Sequence, residues 1–556
     1  MDAHTIQVIR KLALQNAVQH GGKAEQKAVV GKVMGTFPEF RARAKEILPV
    51  IAKIIEEVNS IPYDLQLLEL KTTAPELLQR ERKEKETVLP DLPEVKEKVV
   101  MRLAPFPSGA PHIGNARSFI LNDEYVKRYG GTLYLVFDDT IGSEEKIPQA
   151  DAYELIRESL AYLGIKYEKE FFKSDRMEIF YDWAKKVIEK GYAYVCECDA
   201  ATLRKNREMQ RECVHRAQSI EENIEKWEKM LGNVYEEGKA TLRIKTDMKH
   251  KNPAFRDRVL FRISHREHPR VGTKYFVWPL LEFSWAVDDH LLGITHVLRG
   301  KDLMMEDMME QYIWNIFGIK GAVFLHYGML MLSEMKLSKS KSMKEVLSGT
   351  YSGWDDPRTW SLISLKRRGI RAEAIRNFIL SFGVSLADIE VPAENLYAEN
   401  RRIVDGIAPR YFFVAEPVKI TIDLFETKEV ELQNHPLNPY LGKRKIVAGK
   451  EIFIAKNDYE MYNGKEVRLK DFCNILCTEN AKITSWENKD IPRIQWVPGS
   501  DFVEMDVVMV DGSVVKGAAE KNILEAEEND VVQLERFGFV RIDRKERGIT
   551  AYFGHR

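Results

Sequence analysis

The stretch from Arg102 to Arg117 constrains the fold more than any other part of the chain. It reads Arg-Leu-Ala-Pro-Phe-Pro-Ser-Gly-Ala-Pro-His-Ile-Gly-Asn-Ala-Arg, and it lies between a short apolar run, Lys98 to Met101, and a segment, Ser118 to Tyr129, with apolar residues at helical spacing. A turn punctuated by proline and glycine between a strand and a helix predicts an α/β layer. The helix N-terminus there offers unpaired N–H groups and a partial positive charge, and Gly109 and Gly114 let a ligand approach the backbone. The junction is therefore a phosphate site, with His112 facing the bound phosphates.

A chain of 556 residues, 44% of them hydrophobic, exceeds one ordinary core, so roughly three to five domains are expected. No window approaches the apolar length of a membrane helix, and Met1 to His20 carries charges throughout rather than a signal-peptide layout, which predicts a cytoplasmic protein with no membrane partner. Five cysteines are too few for a disulfide framework in so long a chain. With a net charge of −1, any nucleic-acid surface has to be a local basic patch.

Residues 1 to about 62 alternate apolar and charged positions at helical spacing, a small helical module, and Ala74 to Glu97 form a charged connector containing Arg80 to Glu86. Gly130 to Thr140 is a β-rich run ending in Asp138-Asp139. That is the look of the carboxyl edge of a parallel sheet, and Asp138 is the better ligand group, although a capping or turn role is the alternative. Two helices follow, Asp151 to Leu163 and Arg176 to Lys190, closed by Gly164 and Gly191. Cys196, Cys198, Cys213 and His215 then make two close pairs of soft donors. These suffice for a tetrahedral zinc; the alternative is three reduced thiols and a surface histidine.

Arg243, Lys245, Arg256, Arg258 and Arg262 alternate with apolar residues from Ala240 to Ile263, either a phosphate-contacting face or the solvated side of strands. Asp288-Asp289-His290 has the look of a metal cluster or a carboxylate–histidine catalytic pair, but a turn with capping aspartates is the favoured reading. Beyond it an apolar strand ends in Arg299, whose planar fork suits a carboxylate. Leu332 to Ser342 packs Lys336, Lys339 and small hydroxyls into a basic loop, where ammonium groups could follow charge developing on a phosphate. Gly353 to Arg358 is a turn, Ser361 to Phe382 is helical, and from Tyr411 onward short β-rich segments alternate with turns.

Taken together, Pro111-His112-Ile113-Gly114-Asn115 and Lys336-Leu337-Ser338-Lys339-Ser340 resemble the paired motifs of class I aminoacyl-tRNA synthetases, in the expected order and separated by an inserted domain. Arg102 with Pro105 to Gly109, Phe137 to Thr140, Leu292 to His296 and Gly353 to Arg358 resemble the glutamyl and glutaminyl branch, over about residue 98 to the C-terminus. The β-rich C-terminal third is similar to the archaeal and eukaryotic architecture.

The resemblance implies a multidomain α/β plus β fold. It consists of an N-terminal helical extension (1–97), a Rossmann-like catalytic domain in two halves (98–188 and 274–345), an inserted acceptor-stem domain (189–273), a helical linker subdomain (346–410), and anticodon-binding β-barrels (411–556). It further implies ATP with Mg2+, with zinc at the cysteine cluster as a candidate. The ATP site would comprise Pro105, Ser108, Gly109, His112, Gly114, Asn115, Ser338, Lys339 and Ser340, and the catalytic groups would be His112, Asn115, Lys336 and Lys339. Arg102, Asp138 and Arg299 would hold the amino acid. Arginine at 299, where glutaminyl enzymes have a small uncharged residue, selects L-glutamate, because a buried side-chain carboxylate needs a cation. The expected reaction is attachment of glutamate to tRNA(Glu) through an adenylate, with charging of tRNA(Gln) left open. The alternatives are a glutaminyl enzyme and a non-catalytic tRNA-binding paralogue. Two positions depart from the pattern: Asn115 replaces a second histidine, and Leu281 replaces an expected tyrosine wall, for which Trp278 or Trp285 could substitute.

Overall fold

The computed structural model describes every residue except 1–2, 20–21, 38–39, 41–42, 75–88, 142–146, 335–338, 425 and 547. It divides into two compact units, Met1–Glu86 and Thr87–Arg556. The first unit holds four helices, α1 (Ala3–Gln19), α2 (Gln26–Thr36), α3 (Ala44–Asn59) and α4 (Tyr63–Thr73). Helix α3 buries Ile47, Ile51, Ile54, Ile55 and Val58, a stripe at helical spacing that packs with Ile9, Ala13, Leu14 and Ala17 of α1. Buried Gln66 ties the chain turns together: its Nε2 lies within 3.0 Å of the carbonyl oxygens of Gly22, Val58 and Ile61. The charged run Arg80 to Glu86 falls outside the described residues.

The second unit opens with the predicted strand, turn and helix. β1 (Val100–Leu103) leads through the turn to α5 (Ile113–Tyr129), then β2 (Thr132–Phe137), α6 (Ala152–Tyr162), β3 (Lys169–Phe172) and α7 (Met177–Glu189). The three strands pair in parallel in the order β1-β2-β3. Strand β2 buries Leu133, Leu135, Val136 and Phe137, as a strand covered on both faces must. An inserted module follows, containing β4 (Ala193–Cys196), α8 (Ala200–Glu208), α9 (Ile220–Leu231), β5 (Thr241–Ile244), β6 (Val259–Ile263) and β7 (Val277–Pro279). Its four strands form an antiparallel sheet in chain order.

The chain then re-enters the parallel layer with α10 (Leu281–Leu291), β8 (His296–Gly300), α11 (Met304–Phe317) and β9 (Val323–Tyr327). β8 and β9 pair in parallel. The Thr295 N–H donates to the Val100 carbonyl at 2.9 Å, and the Val100 N–H donates to Thr295 Oγ1 at 2.9 Å. These bonds set β8 beside β1, so the parallel strands run β3-β2-β1-β8-β9. Strand order reverses at β1, and ligands of doubly wound sheets bind beyond the carboxyl ends at such a point.

Downstream come β10 (Leu330–Leu332), α12 (Lys339–Leu347), α13 (Leu362–Arg367), α14 (Ala372–Leu380), β11 (Ile389–Val391) and α15 (Glu394–Val404), with β10 and β11 parallel. The rest is β-rich, as the turn spacing predicts. It forms two seven-stranded sheets, one including Pro417–Ile422, Glu451–Ala455 and Glu466–Leu469, the other including Phe502–Val508, Val514–Glu520 and Ile549–His555. Each has its own apolar core. A separate two-stranded hairpin, Lys428–Gln433 with Lys443–Ala448, is tied to the second sheet by the buried pair Arg444 Nε to Glu520 Oε1, 2.5 Å apart, and Glu520 also accepts from the Phe412 N–H at 2.8 Å.

Three of the arginines between Ala240 and Ile263 bond to protein rather than forming a phosphate-contacting face or a solvated side: Arg243 and Arg256 within the inserted module, Arg258 to helices α10 and α11 of the parallel layer. Buried Arg243 donates to the Asp257 carbonyl at 2.8 Å, buried Arg256 to that of His250 at 2.7 Å, and Arg258 is paired with Glu282 and Glu306. Arg243 lies on β5, and Arg256 and Arg258 lie in the segment leading into β6; each is fixed by carbonyl or carboxylate partners supplied from elsewhere in the fold. Among the described residues no helix is long and apolar enough to cross a membrane.

Helix α5 is the spine of the parallel layer, with Ile113, Ala116, Phe119 and Ile120 in its largest core. Ile120→Ala should destabilise this layer by about 2–5 kcal/mol through the lost burial and the remaining cavity, seen as a lower urea midpoint at unchanged slope.

Candidate active site

The turn after β1 is held from two directions. His112 is the N-cap of α5: its Nδ1 accepts from the Gly114 N–H at 3.1 Å, while the Asn115 side-chain oxygen accepts from the His112 N–H at 3.1 Å. This reciprocal pair is a capping box built from imidazole and amide rather than from serine and glutamate. Asn115, the departure from the expected histidine, thus orients the turn as well as facing it. From the other side Trp354 presses on Gly109, which sits at φ +123°; a Cβ there would lie 2.2 Å from the indole. The Leu362 N–H donates to the Pro111 carbonyl at 2.8 Å.

Beyond the carboxyl ends of β1 and β8 lies a cavity of about 620 Å3 lined by Arg102, Pro105, His112, Gly114, Asn115, Trp285 and Arg299, among others. That volume suits a small-molecule ligand. The polar floor is organised by α10, which is buried on nearly every side from Glu282 to Asp289. A helix so enclosed must find partners for its charges. Asp289 takes a two-pronged grip from Arg102 at 2.5 and 2.8 Å. Asp288 takes Arg176 Nε at 2.6 Å, and burial pushes its carboxyl up to about 6. Ser284 accepts from the fully buried Lys173 ammonium at 2.8 Å, and Lys173 Nζ also lies 2.9 Å from Asp138. Burial lowers the Lys173 pKa, with Asp138 and Asp288 opposing. Around the Trp285 ring stand three cations, Arg102 at 5.1 Å, Lys173 at 4.8 Å and Arg299 at 4.7 Å from its centroid, within cation–π range.

Of the residues singled out from sequence, Arg102, Pro105, His112, Gly114, Asn115 and Arg299 line this one cavity, whereas Ser108 and Gly109 build its turn without lining it. Asp138 is buried at the end of β2 against Lys173. Its neighbour Asp139 is committed to structure, accepting from Tyr153 at 3.0 Å and from the Ser174 hydroxyl and N–H at 2.7 and 2.9 Å. Lys336 and Ser338 lie outside the described residues; Lys339 and Ser340 begin α12, their side chains likewise outside.

The reading of Asp288-Asp289-His290 as a capping turn is overturned. All three are in the body of α10, the two aspartates pairing with arginines and His290 exposed. At the expected tyrosine wall it is Trp285 that lines the cavity, while Trp278 is buried against His268 with ring centroids 5.3 Å apart. Sequence reasoning missed Lys173, and it also missed Asp307 and Glu310, which grip Arg299. The available signal was acidic residues inside an otherwise apolar helix, Met304 to Phe317, which implies buried cationic partners.

A family model described as tRNA synthetases class I (E and Q), catalytic domain, matches residues 98–403. The chain belongs to this family. Two further models of the same family, both described as anti-codon binding domains, match residues 408–491 and 493–543 of the synthetase. A protein named glutamate–tRNA ligase from Methanocaldococcus jannaschii is 42% identical over 559 residues, covering 99% of each chain. Another of that name from Archaeoglobus fulgidus is 43% identical over 558 residues, covering 99% of this chain and 100% of its own. A solved glutamate tRNA ligase from Elizabethkingia meningosepticum aligns over 55% of this chain and 70% of that one, with a TM-score of 0.40 and 18% identity.

A second constellation lies in the inserted module of the synthetase. The Sγ atoms of Cys196 and Cys213 are 3.6 Å apart and those of Cys198 and Cys213 are 3.3 Å apart, with His215 Nδ1 at 3.1, 3.6 and 3.9 Å from Cys213, Cys198 and Cys196. All four donor atoms fall within 4.8 Å of one another. Glu197, on the opposite side of the imidazole, stands 3.5 Å from Nε2.

The grip of Asp289 on Arg102 is the contact most exposed to test. Asp289→Asn would leave a buried guanidinium without its counter-charge, and the synthetase should lose about 3–5 kcal/mol of stability, measured by chemical denaturation at neutral pH.

Proposed function

We propose that this synthetase is a glutamate–tRNA ligase, joining L-glutamate to tRNA in two steps. The observation that carries the reading is the single cavity that brings the α5 N-terminus together with Arg299, set beside near-full-length likeness to ligases of that name. In the first step an α-carboxylate oxygen of glutamate attacks the α-phosphorus of ATP, forming glutamyl-adenylate and releasing pyrophosphate. In the second, a ribose hydroxyl at the 3′ end of the tRNA takes the glutamyl group and AMP leaves.

The parts of the turn and cavity residues are supported by their surroundings, and those of Lys336, Ser338, Lys339 and Ser340 by the motif resemblance alone. The N–H groups at the start of α5, with His112 and Asn115, receive the phosphates of ATP, and Pro105, Ser108, Gly109 and Gly114 shape the turn that admits them. Mg2+ accompanying the nucleotide would supply positive charge that offsets its phosphates. Lys336, Ser338, Lys339 and Ser340 supply cations and hydroxyls that meet charge growing on the transferring phosphate. Arg102 and Arg299 face the substrate's carboxylates, and Asp138 faces its ammonium.

We read each C-terminal seven-stranded sheet as a barrel, residues 411–556 as the anticodon reader, 189–273 as the acceptor-stem module and 346–410 as a stem-contacting link. Charging of tRNA(Gln) as well as tRNA(Glu) remains open to the same site, because the amino acid and not the tRNA meets Arg299. Arg299→Cys should lower glutamate-dependent pyrophosphate exchange by a hundredfold or more, on the order of 3 kcal/mol for a lost buried charge partner; near-normal exchange by the variant would remove the specificity argument.

The Cys196, Cys198, Cys213 and His215 donors are assigned to a structural zinc. Their separations are close to the about 3.8 Å that a tetrahedron with Zn–S bonds of about 2.3 Å requires. Glu197 fits the role of a carboxylate bonded to the ligand histidine's other nitrogen, which fixes Nδ1 as the donor. Zinc there would close the loop between β4 and the following turn. Protein purified without added metal should contain one equivalent of zinc, and a strong chelator should lower the melting temperature of the wild type but not of Cys198→Ser.

A further inference from the structure

Arg299 projects from the carboxyl end of β8 and is held by two acids of α11. Its Nε lies 2.8 Å from Asp307 Oδ1, its Nη2 is bonded to the same oxygen, and Nη2 also donates to Glu310 Oε1 at 2.7 Å. Phe324 and Trp285 close over the guanidinium at 5.0 and 4.7 Å. Among the described residues Nη1 has no hydrogen-bond partner, and neither has the second oxygen of Glu310, which is completely buried.

A substrate carboxylate at Nη1 would be another acid in a cluster already crowded with them. Glu310 faces Arg299 from β8, Arg102 from β1, Asp289 from α10 and Asp307 from its own helix; His326 of β9 stands 2.5 Å from the far oxygen of Asp307, and Glu306, one turn back, is engaged by Arg258. Counting Arg102 with Asp289 and Arg299 with Asp307 as balanced pairs, an ionised Glu310 is surplus negative charge with a free oxygen. Like charges so close in a buried site cannot all ionise.

We propose that Glu310 is a positioning residue for the substrate side chain: with Asp307 it locks Arg299 so that Nη1 is left for the γ-carboxylate, and its carboxyl carries the proton that makes room for that added charge. The inference rests on the glutamate reading above. Binding then requires protonated Glu310, with any missing proton drawn from solvent as glutamate enters. Burial is the chief cause of a pKa for this carboxyl of about 8, with Arg299 opposing and Asp289 adding.

The test is the KM for glutamate in tRNA-supported pyrophosphate exchange, measured for wild type and Glu310→Gln. In wild type the KM should rise about tenfold between about pH 7 and about pH 9, as a group with that midpoint passes from mostly protonated to mostly ionised, while kcat and the KM for ATP stay within about twofold. Glu310→Gln should show a flat profile and the lower KM at high pH. Glu310→Met removes the titrating group at similar volume and is read the same way should the amide variant not fold; thermal melts at both pH values separate lost fold from lost affinity. Lys173, on another side of Trp285, would leave the slope unchanged in these variants if it were the titrating group. A flat wild-type profile, or a variant retaining the wild-type slope, overturns the inference while glutamate activation stands. Activation of glutamine instead of glutamate at neutral pH overturns both.

Discussion

The buried pair between Arg102 and Asp289 joins residues 187 positions apart, and the active-site side of the molecule depends on it. Arg102 belongs to the first strand of the parallel layer and Asp289 to the helix that returns the chain to that layer after the inserted module. Neither charge could be left alone in so dry a place, since an isolated buried ion costs several kcal/mol. Their mutual need therefore closes the layer around the insertion. The same helix offers Ser284 to Lys173, Asp288 to Arg176 and the face of Trp285 to three cations. One helix thus sets the floor of the pocket.

On the site assignment proposed above, such a floor lets the pocket take an acidic amino acid without holding a large uncompensated positive charge when empty. Each of these cations is already matched by an acid, and what is left for a ligand is the donors that remain unused. Arg299 is the clearest instance, with Nε and Nη2 engaged and Nη1 spare. A glutamine amide would present an N–H or a weaker acceptor to that donor, whereas a carboxylate presents full negative charge.

The local features were the legible ones. The strand, turn and helix around His112, the helical N-terminal module, the helices closed by Gly164 and Gly191 and the β-rich C-terminal third all follow from periodicity and turn chemistry, which act over a few residues. Arg102, His112, Asn115 and Arg299 could be named because their motifs are contiguous. Lys173 could not, because nothing near it in the chain says that Asp138 and Ser284 will surround it. Asp288 and Asp289 were misread for a related reason. Adjacent aspartates usually cap turns, and only burial on all sides of α10, a tertiary fact, turns them into ion-pair partners. Arg243, Arg256 and Arg258 went the same way, since their partners are supplied by parts of the fold distant in sequence or by carbonyls that only the folded turn presents.

The contact of Trp354 with Gly109 has a consequence for synthesis of the chain. Gly109 emerges from the ribosome early, and its helix can form soon after, since a capped helix needs only local bonds. Yet the turn cannot take its final shape until Trp354 arrives, after the inserted module and β8 to β10 have been made. A nascent chain halted short of that residue would hold a layer of strands and a capped helix with an unfinished turn. The order of translation thus makes this protein, itself a maker of translation substrates, complete its pocket late, when helices α13 to α15 are next to appear.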